Sequence, residues 1–191
     1  MKVGSMRATR QQKKLVHYKA ILVGVLVFLF AILHALAPHE ALSYLYHATT
    51  RAAARNIMKE GINPRLFNRN ARMGKKFYVS TKPGTALAEK GNRSTLLRYK
   101  ASKYLKNNLW DLRKPESRKL HSLVGKEDLR GTVKNGVIGP KLGQKIGSLA
   151  DRQGKAIKYR SVKNGGTNIA ISGPMIRKHP RTIYDINIVK R

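Results

Sequence analysis

The apolar positions of the chain fall into one long block and then a series of short runs with strand or helix periodicity. From position 20 to 37, eighteen residues are interrupted by no polar side chain except His34. As a helix rising about 1.5 Å per residue the block is about 27 Å long, close to the roughly 30 Å of a bilayer core. It predicts a transmembrane or signal-anchor helix over 20–37. Residues 1–19 carry Lys2, Arg7, Arg10, Lys13, Lys14 and Lys19 without an acid. They read as a basic arm that holds the N-terminus in the cytoplasm and places the rest outside. Ala35-Leu36-Ala37 has the small-x-small form of a cleavage site, but Pro38 would follow the cut directly, which favours an uncleaved anchor. Cleavage would instead release a secreted domain.

After Pro38 the pattern becomes that of a globular domain over 40–191. Alternating or β-branched runs predict strands over 42–49, 74–81, 95–101, 156–162, 168–171 and 181–189. Helix formers fill 50–60, with Thr49 or Thr50 as the N-cap and Gly61 as the stop, and a short helix is expected over 83–90. Leu105, Leu109, Trp110 and Leu112 predict a further short helix, and Leu120, Leu123 and Val124 another. Residues 103–154 read as a basic, glycine-rich insertion, in which 131–147, with five glycines and Pro140, is expected to be a loop. This order of strands and helices predicts an α+β domain with a split, mostly antiparallel sheet.

Charge narrows the choice of partner. With 40 Lys and Arg against 9 Asp and Glu, the formal charge is +31, a field that attracts polyanions such as RNA or an anionic membrane face. Any neutralising protein should by complementarity be acidic. The chain has no cysteine, which excludes disulfides, thiol catalysis and thiolate metal sites. Walker A, HExxH, Gly-x-Ser-x-Gly and strand-borne GxGxxG motifs are all absent from the sequence. The few acids and the scattered histidines show no metal-ligand spacing, so no metal site is expected.

His47 on the first predicted strand and Tyr78 on the second are the best chemical pair. A histidine can bond ribose hydroxyls or a carboxamide, and a tyrosine ring can stack on a planar heterocycle. The residues around them, Leu45-Tyr-His-Ala-Thr49, Ala54-Arg-Asn-Ile-Met-Lys-Glu-Gly-Ile62 and Gly74-Lys-Lys-Phe-Tyr-Val-Ser80, resemble the ADP-ribosyltransferase superfamily. They are most similar to its histidine-tyrosine branch, which includes the poly(ADP-ribose) polymerases and bacterial polymorphic-toxin domains. The segment 158–171 resembles the closing catalytic strand of toxin-type members.

The resemblance implies an ADP-ribosyltransferase-like fold and NAD as substrate. It implies that His47 bonds the nicotinamide ribose, Tyr78 stacks on the nicotinamide, and Thr49 and Ser80 line the pocket. Where the family usually places a glutamate this chain has Thr167-Asn168. Asn168 can bond a hydroxyl but supplies no negative charge. By resemblance, members without the acid are restricted to mono-transfer, altered in chemistry or inactive, so polymer synthesis is not expected and the expected activity is mono-ADP-ribosylation of a macromolecular acceptor, with Asp185 as a reserve acid if the register differs. Two other readings remain: an NAD-independent nucleic-acid-binding or RNA-cleaving module on the same scaffold, and a basic protein held on anionic lipid.

Overall fold

The structure, a computed structural model, describes residues 25, 43–91, 94–114, 117–124, 133–134 and 137–189. The basic arm and nearly all of the predicted membrane helix lie outside the described residues. Among the described residues, no helix is long and apolar enough to cross a membrane.

Residues 42–191 form one compact unit. Its elements are β1 (Tyr44–Thr49), α1 (Arg51–Glu60), β2 (Lys76–Ser80), α2 (Pro83–Lys90), β3 (Thr95–Ala101), α3 (Lys103–Asn107), β4 (Leu109–Asp111) and α4 (Arg118–Val124). There follow a small hairpin of β5 (Val133–Lys134) and β6 (Val137–Ile138), then α5 (Pro140–Arg152), β7 (Ala156–Arg160), β8 (Thr167–Ser172), α6 (Gly173–Lys178) and β9 (Ile183–Ile188). The main sheet has seven strands in the order β4-β7-β8-β2-β1-β3-β9. Every neighbouring pair is antiparallel except β4 and β7. An α+β domain with a mostly antiparallel sheet is what the sequence predicts.

The sheet is closely laddered on both sides of one junction. β1 and β3 pair from Tyr44↔Lys100 to Thr49↔Thr95, and β2 and β8 from Lys76↔Ser172 to Ser80↔Asn168. Between them, β1 and β2 pair only at Tyr46↔Ser80. The sheet is therefore two well-bonded halves that share a single register position.

Alternation along the strands sends side chains to two cores. Leu45, Phe77, Val79, Leu97, Tyr99, Ile169 and Ile171 face a core closed by Ala54 of α1, Leu105 of α3 and Met175 and Ile176 of α6. On the other face Ile157, Tyr159 and Ala170 pack against Leu120 and Val124 of α4 and Leu142, Ile146 and Ala150 of α5. Ala86 of α2 covers Ala48 and Leu96 on that second face. Local signals set the element ends: the Thr50 hydroxyl caps α1 by accepting from the Ala53 amide at 3.2 Å, and Pro83 opens α2.

Two expectations are overturned. The described part of the stretch 131–147 is not a loop, because α5 begins at Pro140 and runs through Gly143 and Gly147, both buried. A Cβ at position 143 would lie 2.4 Å from the Arg72 carbonyl oxygen, and one at 147 would lie 2.1 Å from that of Met73. These glycines let backbone approach backbone, and their effect on local flexibility is secondary. Leu109 and Trp110 do not extend a helix either. α3 stops at Asn108, whose carbonyl accepts from the Ala156 amide at 2.9 Å, and the chain continues as the parallel edge strand β4.

Candidate active site

The sequence-predicted residues gather around the β1/β2 junction and the adjoining ends of β2 and β8, though not in the arrangement expected. His47 lies in β1 and places Nδ1 2.7 Å from the Tyr78 carbonyl oxygen. A carbonyl only accepts, so Nδ1 carries the ring proton in the neutral imidazole, leaving Nε2 as a bare acceptor. No described residue partners that nitrogen. The His47 ring also packs against Phe77, 4.6 Å between centroids. Burial holds the His47 pKa below its ordinary value of 6.5; the carbonyl bond opposes this and the charge of Lys90 adds to it.

This gives a pH expectation for His47. Because folding lowers its pKa, the unfolded chain binds more protons below about 6.5, and the sign of linkage follows. The stability due to neutral His47 is complete above that pH and is lost as pH falls through the folded value. NMR titration should find the ring ionising below 6.5, and His47→Gln should flatten the acid side of the stability curve. Ionisation at or above 6.5 would contradict the assignment.

Tyr78 follows Phe77 along β2 and so leaves the strand on the opposite face, where its half-buried ring packs with the second core. Its hydroxyl donates to the Gly74 carbonyl at 2.8 Å and accepts from the Met73 amide at 3.0 Å. Burial, the largest influence, raises its pKa, so the hydroxyl stays protonated. The two side chains expected to clamp a ring between them thus meet instead through the Tyr78 carbonyl. Gly74, at φ 73°, makes the turn that receives the hydroxyl.

Asn168 is held more tightly than expected. It sits opposite Ser80 in the β2/β8 register. The buried Ser80 hydroxyl donates to Asn168 Oδ1 at 2.5 Å, and Asn168 Nδ2 donates to Glu89 Oε1 at 2.8 Å. The buried Ser161 hydroxyl donates to the same Glu89 oxygen at 2.5 Å. Tyr159 faces Asn168 across the β7/β8 register, and its pKa is raised mainly by burial. The Asn168 amide is therefore committed within the protein and orients a carboxylate beside it. Ser80 is likewise committed, and Thr49 is buried at the end of β1.

Glu89 is the residue that sequence reasoning missed. It lies in the last turn of α2, exposed as a residue, with Oε1 fixed by two donors and Oε2 without a partner among the described residues. α2 itself is seated on the β7–β8 turn, where the Asn164 amide donates to Thr85 at 3.4 Å. Nothing in the spacing of position 89 announces this, because the contact spans 79 residues. Asp185, the reserve acid, is excluded from the group. It stands on the edge strand β9, exposed and paired with Lys100 at 2.7 Å. Four strand spacings separate it from Asn168, roughly 19 Å at about 4.8 Å each.

Among the described residues no group of three His, Cys, Asp or Glu could hold a metal ion. The chain matches no protein-family model and no curated protein.

Proposed function

We propose that the chain is a toxin-like mono-ADP-ribosyltransferase that uses NAD to modify a macromolecular, polyanionic acceptor, with residues 20–37 as its membrane anchor. The observation that carries this reading is an imidazole fixed in one tautomer with Nε2 unpartnered, at the one place where the sheet is barely paired. Such a nitrogen accepts a hydrogen bond from a ribose hydroxyl without needing to reorganise. The fit to NAD is supported further by a carboxylate oxygen left free on Glu89.

In the proposed reaction the bond between ribose C1′ and the nicotinamide nitrogen breaks, and its electron pair leaves with nicotinamide. Positive charge develops on the ribose. The acceptor's nucleophilic atom then bonds C1′ and gives up its proton to water. Among the described side chains around Asn168, Glu89 is the only carboxylate and supplies the negative charge that Asn168 lacks. A preoriented charge of this kind stabilises a transition state because no solvent must rearrange as the charge forms. His47 orients the ribose, and Tyr78 acts through its backbone carbonyl, which fixes the His47 tautomer. Asn168 and Ser80 act as positioning residues through Glu89.

The test is nicotinamide release by the full chain from labelled NAD, with His47→Ala as the background control. Release above that background, with label appearing on an added acceptor, is expected. A wild-type rate equal to the control rejects the reading. RNA cleavage by the wild type in chelator and without NAD would favour the NAD-independent alternative.

A further inference from the structure

On α1, Arg51, Arg55 and Lys59 are all exposed. Their i, i+4, i+8 spacing puts them in one row along the helix, with steps of about 6 Å. The row runs into an open depression of about 320 Å³ lined by Thr50, Arg51, Lys90, Gly91 and Ser94. It is a recess in the surface and not an enclosed cavity. Arg51, Arg55, Lys59 and Lys90 make no ion pair with a described residue. Of the other described acids, Asp111 pairs with Arg113, Asp151 with Lys76, Asp185 with Lys100, and Glu89 binds Asn168 and Ser161, while Glu60 stands exposed at the far end of α1 beside Lys59.

We infer that the Arg51–Arg55–Lys59 row and Lys90 bind the phosphate backbone of a single-stranded nucleic acid and lead it to the candidate site. The inference rests on the proposed function and names the acceptor side of that reaction. A single row of cations leading to an open recess supplies the charged track along which the phosphates of a single strand lie. A duplex presents a broad double rim of phosphates, which a single row of three cations on one helix does not match. A lipid surface is disfavoured because α1 exposes a single large apolar side chain, Met58, too little to insert. Its Ala54 is buried in the first core, with Ile57 packed against it. The row ends at Arg51, which lines the depression together with Lys90 of α2, the helix that carries Glu89.

The experiment measures binding of a short labelled oligouridine to the full chain by anisotropy, without NAD and in chelator, over a series of salt concentrations. Each lost contact to a single strand lowers the slope of log K against log salt by about 0.7. The triple variant Arg51→Gln/Arg55→Gln/Lys59→Gln should therefore lose about 2 from that slope and keep its melting temperature. Lys141→Gln/Lys145→Gln/Arg152→Gln removes the same charge from α5, on the opposite side of the sheet, and should keep the wild-type slope. Equal losses in the two triples would mean that net charge alone binds RNA and would overturn the inference, as would no loss in the first. Competition by duplex RNA, polyglutamate or anionic vesicles as strong as that by single-stranded RNA would also overturn it. Because NAD is absent, binding can fail while nicotinamide release stands, and the converse.

Discussion

Glu89→Gln should lower the rate of nicotinamide release from NAD by about 10²–10³-fold, the range seen when one group that stabilises transition-state charge is removed. The substitution is chosen for what it keeps. A glutamine oxygen can still accept from Asn168 Nδ2 and Ser161 Oγ, so the side chain stays anchored while its charge is lost. Alanine would be a poorer probe, since it would strand two buried donors at a cost of about 1–3 kcal/mol. The loss should fall on kcat with KM little changed, because the charge matters only as the ribose becomes cationic. The melting temperature should stay within the small range typical of surface changes. A Glu89→Gln enzyme that turns over like the wild type would remove Glu89 from the chemistry, whatever becomes of His47.

The second large effect concerns stability. Gly147→Val should destabilise the domain by about 3 kcal/mol, the upper part of the usual overpacking range. The obstacle is backbone, the Met73 carbonyl 2.1 Å from the position of the new Cβ, and backbone cannot swing aside as a long side chain would. For a domain of this size the melting temperature should fall by about 6–12 °C, at about 2–4 °C per kcal/mol. Gly84→Ala is the matched control. Gly84 lies in α2, where a new Cβ would meet nothing within 4 Å, and alanine there should stabilise by up to about 1 kcal/mol through helix propensity. Calorimetry of the two variants separates close approach from mere loss of glycine. If both changes are neutral, α5 is not packed on the 72–73 segment as described. The effect reaches the site, because Met73 and Gly74 hold the Tyr78 hydroxyl.

The parts of the fold legible in the sequence were those where local chemistry and tertiary packing agree. β1, α1, β2, α2 and β3 could be read from alternation, the Thr50 cap and the stops at Gly61 and Gly91, and these signals act over a few residues. α5 was illegible because Gly143 and Gly147 count as helix breakers in a sequence and as contact points in the fold. Its apolar row, Leu142, Ile146 and Ala150, was present but masked by the glycines between. β4 was hidden because three residues are too few to show a period, and its strand state comes from pairing with β7. At the site, His47 and Tyr78 were identified as neighbours, but not how they meet. Residue spacing names the strand, whereas a side chain's face depends on a register that only pairing fixes. Glu89 was out of reach for the same reason, since its role comes from where α2 lands on the β7–β8 turn.

The single Tyr46↔Ser80 pairing has a mechanical meaning for the whole domain. A sheet whose two plates share one rung can flex there while each plate stays rigid, so amide exchange should be fastest along the facing edges of β1 and β2. A small molecule wedged in that seam would act as a rivet between the plates. It would slow exchange on both edges together and raise the temperature at which they part.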